Sequence, residues 1–351
     1  MRSRLVGVLL AMMLSIPLFA GENRWSSFPI RASDLIADPQ DPNTIYAFNS
    51  GGLSYSTDRG SSWTTPANEG LVEDGSSFWN AAIAYASPGT FYIAINTGVY
   101  RTRDRGEHWA NIGAPPLAYG VVLDPSDADR IFVNVNGECS PVFCVSHGYR
   151  STDGGSTWAP LLSVDGRPAV AVLVTPSDPE WLFGAYGDVV SSFLRGDPAD
   201  ALSAIGYVPF LTQLVANRLD PRILYGVGFD FLGDPSPGFY RSDDSGISWV
   251  HRSEIADLGL LAANPSDPRK LAMSSRLHGL LISDDEGLSW VLFQGLNDKN
   301  ISSVEFSSDG QTLYAAGQDA IHQYTFCGDC RPLVPGERRR PDRVGPRASL
   351  P

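Results

Sequence analysis

The chain has 351 residues, with 26 prolines, 35 glycines and no heptad or long helical pattern, which excludes a helical bundle and favours many short strands joined by turns. Its formal net charge is −13; a leader carries +2 and a C-terminal tail +4, leaving a body of −19. An acidic body repels phosphate backbones, so no nucleic-acid partner is expected.

Residues 1–20 read as an export signal. Arg2 and Arg4 precede the apolar run "LVGVLLAMMLSIPLFA", and small residues stand at Ala20-Gly21, where cleavage would fall. The expected location is therefore secreted or periplasmic. A retained membrane anchor is the alternative, and no other segment is apolar enough to span a bilayer, so the mature chain is expected to carry no transmembrane segment. The segment "RWSSFPI" (Arg24–Ile30) has strand character. After it the chain repeats, in units at about 31–66, 78–113, 118–163, 169–208, 211–253, 257–294 and 301–326. Each opens with a short strand and a turn rich in Asp and Pro, as in "ADPQDPNTIYAF" and "NPSDPRKLAMSS". Residues 331–351 are Pro- and Arg-rich and predict a disordered tail, which leaves 21–330 as the folded domain.

Five units carry the box [S/T]-x-D-x-G-x-x-W: "STDRGSSW", "TRDRGEHW", "STDGGSTW", "SDDSGISW" and "SDDEGLSW". Their tryptophans are 46, 49, 91 and 41 residues apart, so the fourth unit has lost its box, as has the last. About four short strands per unit of forty residues predict an all-β, seven-bladed β-propeller of four-stranded antiparallel blades. The last unit shows three strands, and the N-terminal strand is expected to complete it and close the ring. The box falls between third and fourth strands. Its glycine supplies a left-handed turn, its Asp accepts from the turn's own N–H groups, and its Trp packs into the blade. Asp58, Trp63, Asp104, Trp109, Asp153, Trp158, Asp244, Trp249, Asp285 and Trp290 are thus read as structural, because chemistry needs one site and this motif recurs five times.

The box and its spacing resemble the Asp-box, or bacterial neuraminidase repeat. Families that bear it include sialidases, oligoxyloglucan hydrolases, sortilin-type propellers and the photosystem II assembly-factor group. The resemblance covers residues 24–326 and implies a structural turn on the rim away from the ligand face. Two departures weigh against the hydrolases. The sialidase Arg-Ile-Pro signature is absent, "FPIRAS" having Pro29, Ile30 and Arg31 in another order. Where xyloglucan-type enzymes place an acid in a "T-D-x-G-G"-like stretch, this chain has "FNSGG", with Asn49 and Ser50. In size and layout the chain resembles the assembly-factor group.

Three long loops are expected on the face opposite the boxes: Ala67–Trp79, Asn136–Gly148 and Gly228–Gly238. They supply Glu69, Glu73, Asp74, Trp79, Glu138, Phe143, Asp230, Phe231 and Asp234, carboxylates beside aromatics that suit a sugar or a basic peptide. Arg101, Arg150 and Arg241 each precede a box and read as repeat-encoded surface residues. Four cysteines favour local disulfides, Cys139–Cys144 and Cys327–Cys330, with no metal site or cofactor expected. The expected function is a monomeric, non-catalytic binding or assembly module for a protein or polysaccharide ligand; the alternative is a glycoside hydrolase with an atypical carboxylate pair.

Overall fold

The computed structural model describes residues 25–49, 52–71, 82–139, 144–163, 166, 169–175, 181–186, 193–196, 203–204, 210–229, 237–254, 259–275, 278–294, 296, 300–317 and 319–326. The leader (1–20), the tail (331–351), and Cys327 and Cys330 lie outside them. Among the described residues no helix is long and apolar enough to cross a membrane.

The strands in chain order begin with β1 (Trp25–Phe28). The first sheet follows as β2 (Asp34–Ala37), β3 (Ile45–Asn49) and β4 (Gly52–Ser56). Next come β5 (Ala82–Ser87), β6 (Thr90–Ile95), β7 (Gly98–Thr102) and β8 (Ala110–Asn111), then β9 (Ala118–Leu123), β10 (Ile131–Cys139), β11 (Cys144–Ser151) and β12 (Ala159–Leu161). The fourth and fifth sheets are β13 (Ala169–Thr175), β14 (Trp181–Tyr186), β15 (Phe193–Gly196) and β16 (Ser203–Ala204), and β17 (Phe210–Ala216), β18 (Leu224–Phe229), β19 (Pro237–Ser242) and β20 (Val250–Glu254). The sixth is β21 (Leu261–Ala263), β22 (Leu271–Ser275), β23 (Gly279–Ser283) and β24 (Val291–Leu292); the last holds β25 (Ser303–Phe306), β26 (Thr312–Ala316) and β27 (Ile321–Thr325). All ladders between these strands are antiparallel, and each sheet is a meander except that β1 joins the last one beside β27. The first strands touch in sequence, β2 to β5, β9, β13, β17, β21 and β25, and β25 returns to β2. This is an all-β propeller.

Two expectations are corrected. Six sheets have four strands, and β2-β3-β4 has three. After its box the chain makes only one bridge, Tyr55 to Thr64, before Pro66 removes the next backbone donor. Nor does the circle depend on an N-terminal strand. It closes at its centre, where β25 meets β2, while β1 pairs with β27 as the outermost strand of the last sheet.

The core lies between sheets rather than within them. Each hydrophobic cluster joins neighbouring units: Tyr46, Phe48 and Leu53 with Phe91, Ile93 and Trp109, and Tyr225 and Phe239 with Leu271, Met273 and Trp290. Each box Trp packs into the cluster shared with the preceding unit, which corrects its expected place inside its own blade. Trp109 Nε1 donates to Asn68 Oδ1 and Trp290 Nε1 to Ser253 Oγ, both in the preceding unit or its connection.

The five boxes share one hydrogen-bond scheme. The Ser or Thr hydroxyl donates to the Asp Oδ1 at 2.8 Å and accepts the glycine N–H at 2.7–2.9 Å. The Asp also accepts the backbone N–H four residues on, and that residue's side chain, from Ser62, His108, Thr157, Ser248 and Ser289. The residue before the glycine is left-handed in every box (Arg59, Arg105, Gly154, Ser245 and Glu286), and its N–H donates to the first hairpin of its own unit. Box turns and first hairpins therefore share one rim.

These bonds set an acid response. The Thr157 hydroxyl and backbone N–H hold the Asp153 carboxyl down to about 2, and the His108 backbone and ring do the same for Asp104. A depressed carboxyl stabilises the fold above its ordinary value of 3.8 and loses that contribution as pH falls through about 2. Asp153→Asn is expected to unfold at lower denaturant than the parent at pH 7, with the two curves converging near pH 2. Urea titrations across that range check it.

Arginines stitch units together. Arg59 donates to Asp309 Oδ2 at 2.6 Å and to Thr312 Oγ1 at 2.9 Å in the last sheet. Arg101 donates to the Gly154 carbonyl of the next unit at 3.1 Å. Arg241, whose side chain is 12 % exposed, bonds Glu286 of the next unit and Asp243 of its own box. Arg101 and Arg241 are thus inter-unit ties, not the surface residues expected. Arg59→Ala is expected to lower stability by about 1–2 kcal/mol, and a double-mutant cycle with Asp309→Asn should show most of that as coupling.

Candidate functional site in the axial channel

The inner strands alternate two environments. On β2, Leu35 and Ala37 are buried in the cluster shared with the last sheet, while Asp34 and Ile36 are half-buried and Ile36 packs against the cluster shared with the next. On β25, Glu305 is half-buried and Val304 and Phe306 join an inter-sheet cluster. Together with Gln213, Val215, Tyr85, Ser303 and Arg218 these residues line a cavity of about 470 Å³.

Neighbouring inner strands do not form ladders with one another, so their edge amides need acceptors. Channel-facing side chains meet that need. The Gln213 amide accepts the Leu261 N–H at 2.5 Å and donates to its carbonyl at 3.2 Å. The Leu35 N–H donates to Ser303 Oγ at 3.2 Å and to Asp34 Oδ1 at 2.9 Å, and the Ser303 hydroxyl donates to Asp34 Oδ1 at 2.9 Å.

The electrostatics follow from enclosure. Burial pushes the Asp34 carboxyl up to about 6, against the lowering effect of Ser303. Burial, then the Asp34 charge, pushes Glu305 up to about 8, with Arg218 pulling the other way. β2 runs from Asp34 toward the hairpin at the box rim. Asp34 and Ser303 thus stand toward the opposite face, and Arg218, in the hairpin after β17, stands at the box-rim end.

Most residues expected on the ligand face lie outside the described ones: Glu73, Asp74, Trp79, Phe143, Asp230, Phe231 and Asp234. Glu138 lies in β10, its side chain outside the description. Glu69 is described and is misplaced by the sequence reading. Its strand segment runs parallel to His108, and its carboxylate is 3.5 Å from His108 Nε2, on the box rim rather than the opposite face. Its N–H donates to the Glu107 carbonyl and its carbonyl accepts from Trp109. Backbone register sets Cys139 opposite Cys144; their side chains are not described, and among the described residues there is no disulfide. The channel pair Asp34 and Glu305 escaped the sequence reading altogether. The alternation in "DLIA" and "SVEF" is the signal that could have found it.

The fold defines the class: a β-propeller. No family model matches the chain. It is 28 % identical over 293 residues to a xyloglucanase from Paenibacillus sp., covering 75 % of this chain and 26 % of that protein. It is 27 % identical over 164 residues to a probable oligoxyloglucan-reducing end-specific xyloglucanase from Neosartorya fischeri, covering 40 % of this chain and 19 % of that one. The chain therefore spans about a quarter or less of the length of these relatives. Among solved structures it is similar to YCF48 bound to D1 peptide, with a TM-score of 0.59, 17 % identity, and coverage of 89 % of this chain and 100 % of that one. It is also similar to YCF48 from Cyanidioschyzon merolae, with a TM-score of 0.55, 15 % identity, and coverage of 86 % and 98 %.

Proposed function

We propose that the chain is an exported, non-catalytic Asp-box propeller that binds a polypeptide segment of a partner on the face opposite the boxes. The observation that supports it is the use to which the channel's Asp34 is put. Asp34 accepts the Leu35 N–H and the Ser303 hydroxyl that itself accepts that N–H, so it serves the ring's own amides. The box aspartates are likewise spent inside their turns. The overlap with a peptide-bound single propeller along its whole length accords with this reading.

A second reading has its own observation. The xyloglucanase relative aligns with three quarters of this chain. Asp34 and Glu305 both line the one cavity, and two carboxyl groups flanking a cleft are what a glycosidase requires. The two readings part in one experiment. The full chain is probed on a peptide array and assayed for reducing-sugar release from xyloglucan. Saturable peptide binding without sugar release supports the binding module. Release that disappears in Asp34→Asn or Glu305→Gln overturns it in favour of the hydrolase.

A further inference from the structure

We infer that the axial channel is a receptor for a cationic group, an ammonium or guanidinium borne by the bound segment, which enters at the mouth marked by Asp34 and Ser303. This deepens the binding reading and rests on it.

The cavity, at about 470 Å³, is of ligand-pocket size. Its walls are divided. Ile36 and Val215 offer alkyl surface on which the stem of a Lys or Arg side chain can lie, while Asp34, Ser303 and Glu305 gather polar atoms on the β2–β25 side. The titratable and charged groups that face it are Asp34, Glu305, Tyr85 and Arg218. The Tyr85 hydroxyl is committed to the Asp38 carboxylate, at 3.2 Å from Oδ2. Arg218 stands at the other end. The Asp34 mouth is therefore governed by the Asp34 carboxylate, with Glu305 further in, toward Arg218.

Those groups are only half engaged. Among the described residues every hydrogen bond to Asp34 falls on Oδ1 and none on Oδ2. No cation of the chain lies within ion-pair distance of Asp34 or Glu305 among the described residues. Burial beside the Asp34 charge holds Glu305 protonated at neutral pH in spite of Arg218, and a cation brought beside it reverses that. Binding at neutral pH should expel the Glu305 proton to the buffer, while the cation keeps its own charge.

The test is calorimetric titration of the full chain with n-butylamine, methylguanidinium and n-butanol, in two buffers of different ionisation enthalpy. The expected result is saturable binding of both cations, none of butanol, and release of close to one proton at pH 7. Affinity should rise roughly 50- to 100-fold between pH 6 and pH 8.5. Glu305→Gln keeps the size of the side chain and should weaken binding at least tenfold; Asp34→Asn is the second variant, with circular dichroism to verify its fold. Equal binding of butanol, or cation binding unchanged in both variants and flat with pH, overturns the inference. Peptides captured regardless of basic residues would sink it while sparing the binding module. Amine binding with no peptide captured would do the reverse.

Discussion

Replacing Gly287 with alanine is expected to destabilise the fold by about 2–5 kcal/mol, more than any other single methyl added to a box. Two causes combine. Gly287 has φ +80°, a conformation that costs other residues about 1–2 kcal/mol. A Cβ would also stand 2.0 Å from Phe239 Cε1 of the preceding unit. Phe239 cannot withdraw. It is fully buried, stacked on Tyr225 at 6.0 Å and set edge-on to Trp290 at 5.3 Å. The remedy would be a wider gap between two units, which strips contacts from the whole cluster. Gly113→Ala separates the causes: at φ +72°, with nothing within 4 Å of its added Cβ, it should lose only about 1–2 kcal/mol. Urea unfolding of both variants checks the difference, and equal losses would show that the steric part is absorbed.

Glu305→Gln should make the protein more stable than its parent at pH 9, by about 2–4 kcal/mol, and nearly equal to it at pH 4. The sign follows from the direction of the shift. Glu305 titrates at about 8 in the fold and at 4.5 in the ordinary state. A carboxyl raised by folding contributes its stability below 4.5 and loses it as pH rises through about 8. Glutamine remains neutral throughout and matches the glutamate in size. Asp34, raised to about 6, adds a smaller loss of the same sign that the variant relieves in part. Thermal melts from pH 4 to pH 9 measure the effect; parallel curves would mean that channel water hydrates the charge fully.

The units and their strands were legible because periodic apolar runs and turns are local signals. The box was legible in four of its eight positions. The Ser, Thr or His before the Trp was missed as a ligand of the Asp, since it varies in chemistry while keeping a donor. The destination of the Trp was missed for another reason. A motif shows what repeats along the chain, whereas Trp290 meets Phe239 and Trp109 meets Asn68 only once units are stacked. The channel was the least legible part. Asp34 and Glu305 are remote in sequence and are joined by the closing of the circle, which no local pattern encodes. Glu69 misled because its loop was assigned to a face by length, while its backbone in fact runs beside the next box.

The box behaves as a key cut for the unit before it, with Trp and glycine as its bit, and each unit also carries the lock for the one that follows. A gene encoding such units can duplicate or lose one without inventing a new interface, because every copy already fits its neighbours. The same arrangement lets single copies erode. The fourth and last units have discarded their boxes, yet each is still gripped from the adjoining side, as Gly246 presses on Phe183 of the fourth and Arg59 holds Asp309 of the last. Drift in one copy is thus tolerated at the cost of making its neighbour's box indispensable.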